Sequence, residues 1–170
     1  MSTTLRCLVL CLAATIFGPG LLSGCGATNI TEPPIAGGFT WGESSEPPVP
    51  ELLARSLQHV MDHYAPARPG YAINLPDGTP AAVYEDVIAR LGGGRVMVQD
   101  AEYGYHVTGL RLRPFRAEVD VMFPKDDGEL YEFVTVHFSR PVIGDWSVSR
   151  DRLWRIRIHP PARSTVPPTG

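Results

Sequence analysis

Two histidines four residues apart are the most suggestive chemistry in this 170-residue chain: His59-Val60-Met61-Asp62-His63. On a helix, residues i and i+4 share a face, so both imidazoles can reach one metal ion. The zinc-protease form of that motif places glutamate directly after the first histidine as general base. Val60 occupies that position, so that chemistry is excluded. The apolar stripe of the same stretch centres near Leu57 and Tyr64, which turns His59 almost opposite and leaves His63 at the edge. Beside Arg55 and Asp62 the pair reads as a solvated face, and a metal site would still need a third ligand and its outer partners. His59 and His63 are therefore the candidate metal ligands, and the expectation is that no metal binds.

Other polar sets are equally common in a domain of this size. Tyr103, Tyr105, His106 and His137 could line a cavity mouth, with Glu118 or Asp120 as base. Packing and surface roles account for them as well. No serine sits in a Gly-x-Ser-x-Gly setting, so no nucleophile elbow is visible. Gly92-Gly93-Gly94 lacks the Lys-Ser/Thr of a phosphate loop and follows a helix instead of a strand. Arg111, Arg113 and Arg116 oppose Glu118 and Asp120 if Pro114-Phe115 is a bend; Arg111 would then face Glu118 in a cross-strand ladder. Arg150, Arg152, Arg155 and Arg157 form a second basic run, which could meet anionic headgroups or cell-wall polymers. No catalytic residue and no cofactor is expected, and an enzyme is the less favoured reading.

The elements that must position these residues begin after position 48. Pro50 suits a first helical turn, and Leu53, Leu57, Val60, Met61 and Tyr64 follow at three- and four-residue steps. A second helix has Thr79 as its expected N-cap and Pro80 in the first position. Val83, Tyr84, Val87, Ile88 and Leu91 form its buried face, and Gly92 ends it. Strands are expected at 95–99, 105–113, 116–123, 130–138, 146–148 and 153–158, with Lys125-Asp126-Asp127-Gly128 as a turn and a bend near Asp151. The fold class is α+β: two helices packed on one face of an antiparallel meander of about 4–6 strands.

The start of the chain has a different composition. Residues 7–17 are almost wholly apolar, a run that fits a signal-peptide core and is too short to span a bilayer. Gly18, Pro19 and Gly20 follow, then Leu22-Ser23-Gly24-Cys25. This segment resembles a bacterial lipoprotein precursor, with those four residues as the lipobox; the single basic residue before the apolar core, Arg6, is fewer than is usual. The resemblance implies removal of residues 1–24 and lipidation of Cys25, with palmitate among the acyl chains. One chain holds a membrane marginally and several hold it firmly, at about 0.8 kcal/mol per buried methylene. Gly26 in place of aspartate leans toward the outer membrane where the host has one. Cys7 and Cys11 would leave with the leader, so the mature domain would keep no thiol for a disulfide, a nucleophile or a metal.

Residues 25–48 read as the lipidated cysteine and a flexible linker, rich in Gly, Pro, Ser and Thr, with Phe39 and Trp41 as its only aromatic side chains. Residues 49–159 form the domain, and 160–170, with four prolines, read as a disordered tail. Loss of the leader removes Arg6 from 15 basic residues, leaving 14 against 18 acidic, a net charge of −4. Such a domain is a poor ligand for nucleic acid, whose phosphates reward clustered cations.

The element order, ending in Trp146-Ser147-Val148, resembles the NTF2-like, or cystatin-like, folds. That likeness implies a cone-shaped cavity between a curled sheet and a helix, in a superfamily that includes enzymes, ligand binders and assembly domains. The functional expectation is an exported, membrane-anchored envelope lipoprotein whose domain binds an envelope protein or polymer without catalysis. The alternative is an NTF2-like cavity domain that holds a small ligand or acts as a small enzyme.

Overall fold

The computed structural model describes residues 29–31, 47–100, 102–125 and 129–164. The leader, Cys25, nearly all of the linker with Phe39 and Trp41, positions 126–128 of the expected turn, and residues 165–170 lie outside these.

The first helix, α1 (Val49–His63), carries Pro50 in its opening turn, where the missing N–H is not needed. Leu53, Leu57, Val60 and Met61 are buried as their spacing requires, and the covered stripe is wider, taking in Leu52, Ala54 and Ser56. The second helix, α2 (Ala81–Leu91), starts after an extended Pro80. Thr79 does not cap it. Its hydroxyl donates to the Pro76 carbonyl at 2.5 Å, closing the turn before the helix. Gly92 ends α2 in the left-handed conformation, φ 67°, as expected of a glycine there.

The strands are β1 (Asn29–Thr31), β2 (Ala72–Asn74), β3 (Arg95–Val96), β4 (Gly104–Arg113), β5 (Arg116–Lys125), β6 (Leu130–Ser139) and β7 (Ser147–Ile158). Six follow the sheet order β3-β2-β4-β5-β6-β7, and β1 pairs with β4 off that path. The fold is α+β, but the sheet is mixed. β4 to β7 form the expected antiparallel meander, whereas β2 pairs in parallel with both β3 and β4. The link from β2 through α2 to β3 makes that parallel pairing possible. Asn29–Thr31, inside the stretch read as linker, runs antiparallel to β4 at Gly109–Arg111.

Two departures shape the meander. Thr108 is an extra residue between the pairs Val107–Val121 and Gly109–Asp120. This bulge lets Tyr105 and Val107 before it, and Leu110 after it, all join the core. β7 does not break at Asp151 but runs unbroken for 12 residues. It absorbs its irregularity in register shifts opposite Tyr131/Phe133 and His137/Phe138. As an end strand of the sheet it tolerates charged side chains that a central strand would not.

Helix α1 packs on β4 and β5, and α2 packs on α1. Between them Leu57, Val60, Val119, Val121 and Val134 have no exposed surface. Each such side chain contributes about 1.5–3 kcal/mol through burial. No helix among the described residues is long and apolar enough to cross a membrane.

Candidate functional site

Strand parity divides β5 into two sets. Ala117, Val119, Val121 and Phe123 face the helices, while Glu118 and Asp120 turn to the opposite face. The cross-strand register adds His137 opposite Glu118 and Thr135 opposite Asp120, then Arg150 opposite His137 and Arg152 opposite Thr135. Here the sheet bears a polar trough of about 490 Å³, lined by Arg111, Glu118, Thr135, His137, Arg150, Arg152 and Trp154 among others. A second cleft of about 340 Å³, bounded by Arg116 and Ser149, shares Glu118, His137 and Arg150 with it, so the two are continuous.

The floor of the trough is a closed hydrogen-bond chain. Trp154 Nε1 donates to Thr135 Oγ1 (3.0 Å), and that hydroxyl donates to Asp120 Oδ1 (2.7 Å). Arg111 donates its two η nitrogens to the two Asp120 oxygens, one at 2.9 Å, and its Nε to Glu118 Oε2 at 2.9 Å. The expected pairing of Arg111 with Glu118 is present, and Asp120 makes it a half-buried fork rather than a simple exposed ladder. The Arg111 guanidinium also holds the Glu118 carboxyl below the usual carboxylate range, with burial opposing it. His137 Nδ1 lies 3.4 Å from Glu118 Oε1. Arg152 covers the Trp154 ring, 3.7 Å from its centroid. Among the described residues neither Arg150 nor Arg152 has a carboxylate partner, so the rim of the trough is cationic.

A carboxylate held ionised by a guanidinium is a poor proton acceptor near neutral pH. Asp120 has its oxygens committed to three donors. The arrangement suits recognition of a polar or anionic group more than proton transfer.

The remaining acid–base candidates do not converge. Tyr105 faces the core and donates to the Ala65 carbonyl at 2.6 Å; burial raises its pKa above the usual tyrosine range. Tyr103 meets its edge, with Arg68 stacked 4.2 Å over the Tyr103 ring. His106 lies apart from these at the parallel corner of the sheet, fully buried beside Tyr131. Its Nδ1 contacts Asn74 Nδ2 at 3.1 Å, so Nδ1 accepts and the ring proton sits on Nε2, where no acceptor meets it. Burial lowers its pKa to about 4, with Asp100 opposing. Residues read as part of a disordered tail dock at this corner: Ser164 N–H donates to Asn74 Oδ1 and Arg163 N–H to Asp100 Oδ1, both at 2.8 Å.

His59 is not on a solvated face. Its Nε2 lies 2.6 Å from Asp151 Oδ2, with 14% of the side chain exposed. Leu52, Ser56, His59 and His63 form one row at steps of four, three and four, along the margin of the wide buried stripe, and β7 meets that margin. His63 stacks on His59 at 4.2 Å and bonds the His59 carbonyl through Nδ1 at 2.8 Å. Tyr64 hydrogen-bonds the same Asp151 carboxylate; burial, then that bond, pushes the phenol up to about 12. Asp151 is held below its ordinary value by His59 first and Tyr64 next. This is a latch between α1 and β7. Among the described residues no group of three His, Cys, Asp or Glu could hold a metal ion.

The NTF2-like resemblance implies a cavity between helices and sheet; among the described residues the buried core occupies that layer, and the trough lies on the other face. Trp154, Thr135, Asn74 and Ser164 escaped the sequence reading. The one signal for Trp154 was its parity with Arg150 and Arg152 on β7. No protein-family model matches the chain, and no curated protein or solved structure shows a significant match to it.

Proposed function

We propose that this chain is the precursor of a bacterial envelope lipoprotein, lipidated at Cys25, whose folded domain binds an envelope protein or polymer through the open face of its sheet. The anchor rests on Leu22-Ser23-Gly24-Cys25 behind a short apolar core. The observation that carries the binding half is the trough: a concave polar surface with Arg150 and Arg152 unpaired at its rim and its carboxylates already engaged. A packed helix–sheet layer leaves the open face as the recessed surface best suited to a partner. The same trough supports small-ligand binding as a second reading, with the ligand on the face away from the helices.

The anchor is tested by palmitate labelling and fractionation of cells producing the full chain. Wild-type protein should incorporate label and stay with membranes. Cys25→Ala should lose both. Equal labelling of the two, or a wild-type protein free of lipid, would overturn the anchor and leave the trough to be tested separately.

A further inference from the structure

The β4–β5 turn and the β6–β7 loop emerge at the same end of the sheet, where the backbone N–H of Arg140 donates to the Phe115 carbonyl at 3.1 Å. Three large apolar side chains project there: Phe115 is 51% exposed, Val142 87% and Ile143 92%. Singly exposed apolar residues are ordinary, but three at one protruding tip are not. The loop is firmly rooted. Trp146 at its base is buried, its carbonyl accepts a hydrogen bond from the Arg55 guanidinium, and Arg140 lies 5.2 Å over its ring. Gly144, at φ 134° and tight against Pro141, takes a backbone that other residues rarely adopt and shapes the tip.

Around this wedge stands a basic collar. Arg113 and Arg116 are cross-strand partners, and Arg140 reaches the Pro114 carbonyl at 3.4 Å. Asp145 is the one acidic side chain in the two connecting segments. The chain as a whole is acidic, with net charge −3, so three arginines at one end give the domain a polarity that an anionic surface would orient.

We propose that the tip of Phe115, Val142 and Ile143, ringed by Arg113, Arg116 and Arg140, inserts into the headgroup layer of an anionic lipid bilayer. Convex aliphatic and aromatic side chains fit the acyl boundary, and guanidiniums fork onto lipid phosphates. A protein partner would instead need a matching groove and offers no general reason for a cationic ring. The inference goes beyond the lipid anchor and does not depend on it.

The test uses the full chain with vesicles of phosphatidylcholine alone or with phosphatidylglycerol added. A fluorophore on Ile143→Cys is quenched by nitroxide-bearing lipid if the tip enters the bilayer. A chain without that substitution, labelled in the same way, gives the background from native cysteines. Quenching is expected with phosphatidylglycerol and should vanish near 1 M salt, where screening extends only about 3 Å. The variant Arg113→Gln/Arg116→Gln/Arg140→Gln should lower the inserted fraction roughly tenfold or more. A probe on Glu85→Cys should stay unquenched. Thermal melts establish that each variant is folded. An unquenched tip, equal quenching of tip and Glu85 probes, or quenching unchanged in the triple variant would overturn the proposal. An emission shift without nitroxide quenching would point to self-association instead. The intact mass of the same preparation reports acylation of Cys25, so a failed anchor and a failed tip are told apart.

Discussion

His106 is held neutral by the side chains that bury it, and this sets a pH signature. An unfolded histidine takes up a proton near pH 6.5. The folded ring refuses it until about 4, because burial penalises the charge. Between those values the unfolded state binds more protons. Stability is therefore full above about 6.5 and falls as pH drops toward 4. The loss from pH 7 to pH 5 is about 2 kcal/mol. Urea unfolding at the two pH values should show it, and His106→Gln should flatten that slope even if it lowers stability throughout. Asp151 and Glu118 act in a different window. Both are held low, by His59 and Arg111 first, so their contribution is present above the unfolded carboxylate range near 4 and is lost as pH falls through the folded values. Asp151→Asn should lower stability by about 1 kcal/mol, and His59→Ala should cost less in that background than in the wild type, because both remove the His59–Asp151 hydrogen bond. Independent, additive losses would mean that the contact is incidental. The latch was hidden in the sequence. Helical spacing placed His59 relative to the stripe's centre, whereas its partner lies 92 positions away on a strand whose register no local pattern states.

At the scale of elements, residues 160–164 behave as a strap over the parallel corner of the sheet. Ser164 is 3% exposed, and its backbone N–H satisfies Asn74. Ser164→Pro removes that donor while leaving Asn74 buried, which should destabilise the fold by about 1–3 kcal/mol. A thermal melt checks this; an unchanged midpoint would show that the strap is not held by that bond. Proline content read this segment as disordered because composition registers apolar burial and not backbone donors that find buried acceptors. The long strands β4, β5 and β6 were legible, since β-branched and aromatic residues run through each between turn signals. β2 was not. Ala72-Ile73-Asn74 is three residues long and wholly buried, so it shows no alternation, and its parallel pairing depends on the α2 crossover. Thr108 likewise shifts the parity within β4 without any local mark.

For the whole molecule, the two faces of the sheet divide the labour. One is filled by α1 and the apolar core, which accounts for stability. The other carries the trough, where Glu118 and Asp120 are committed to Arg111 and whose rim presents Arg150 and Arg152. The sequence revealed the basic run on β7 and the Arg111–Glu118 pairing. It could not reveal that β7 lies beside β6 so that Arg150 meets His137 and Arg152 meets Thr135, because that is long-range register. The proposed role joins this division to the lipobox reading: a domain displayed at the envelope that would meet its partner through the open face. The most direct test places a photo-crosslinking amino acid at Arg150, in the trough, or at Glu85, on the exposed side of α2, in cells making the full chain. The account predicts a discrete covalent adduct from position 150 and none from position 85. No adduct from position 150, or the same adducts from both, would contradict it.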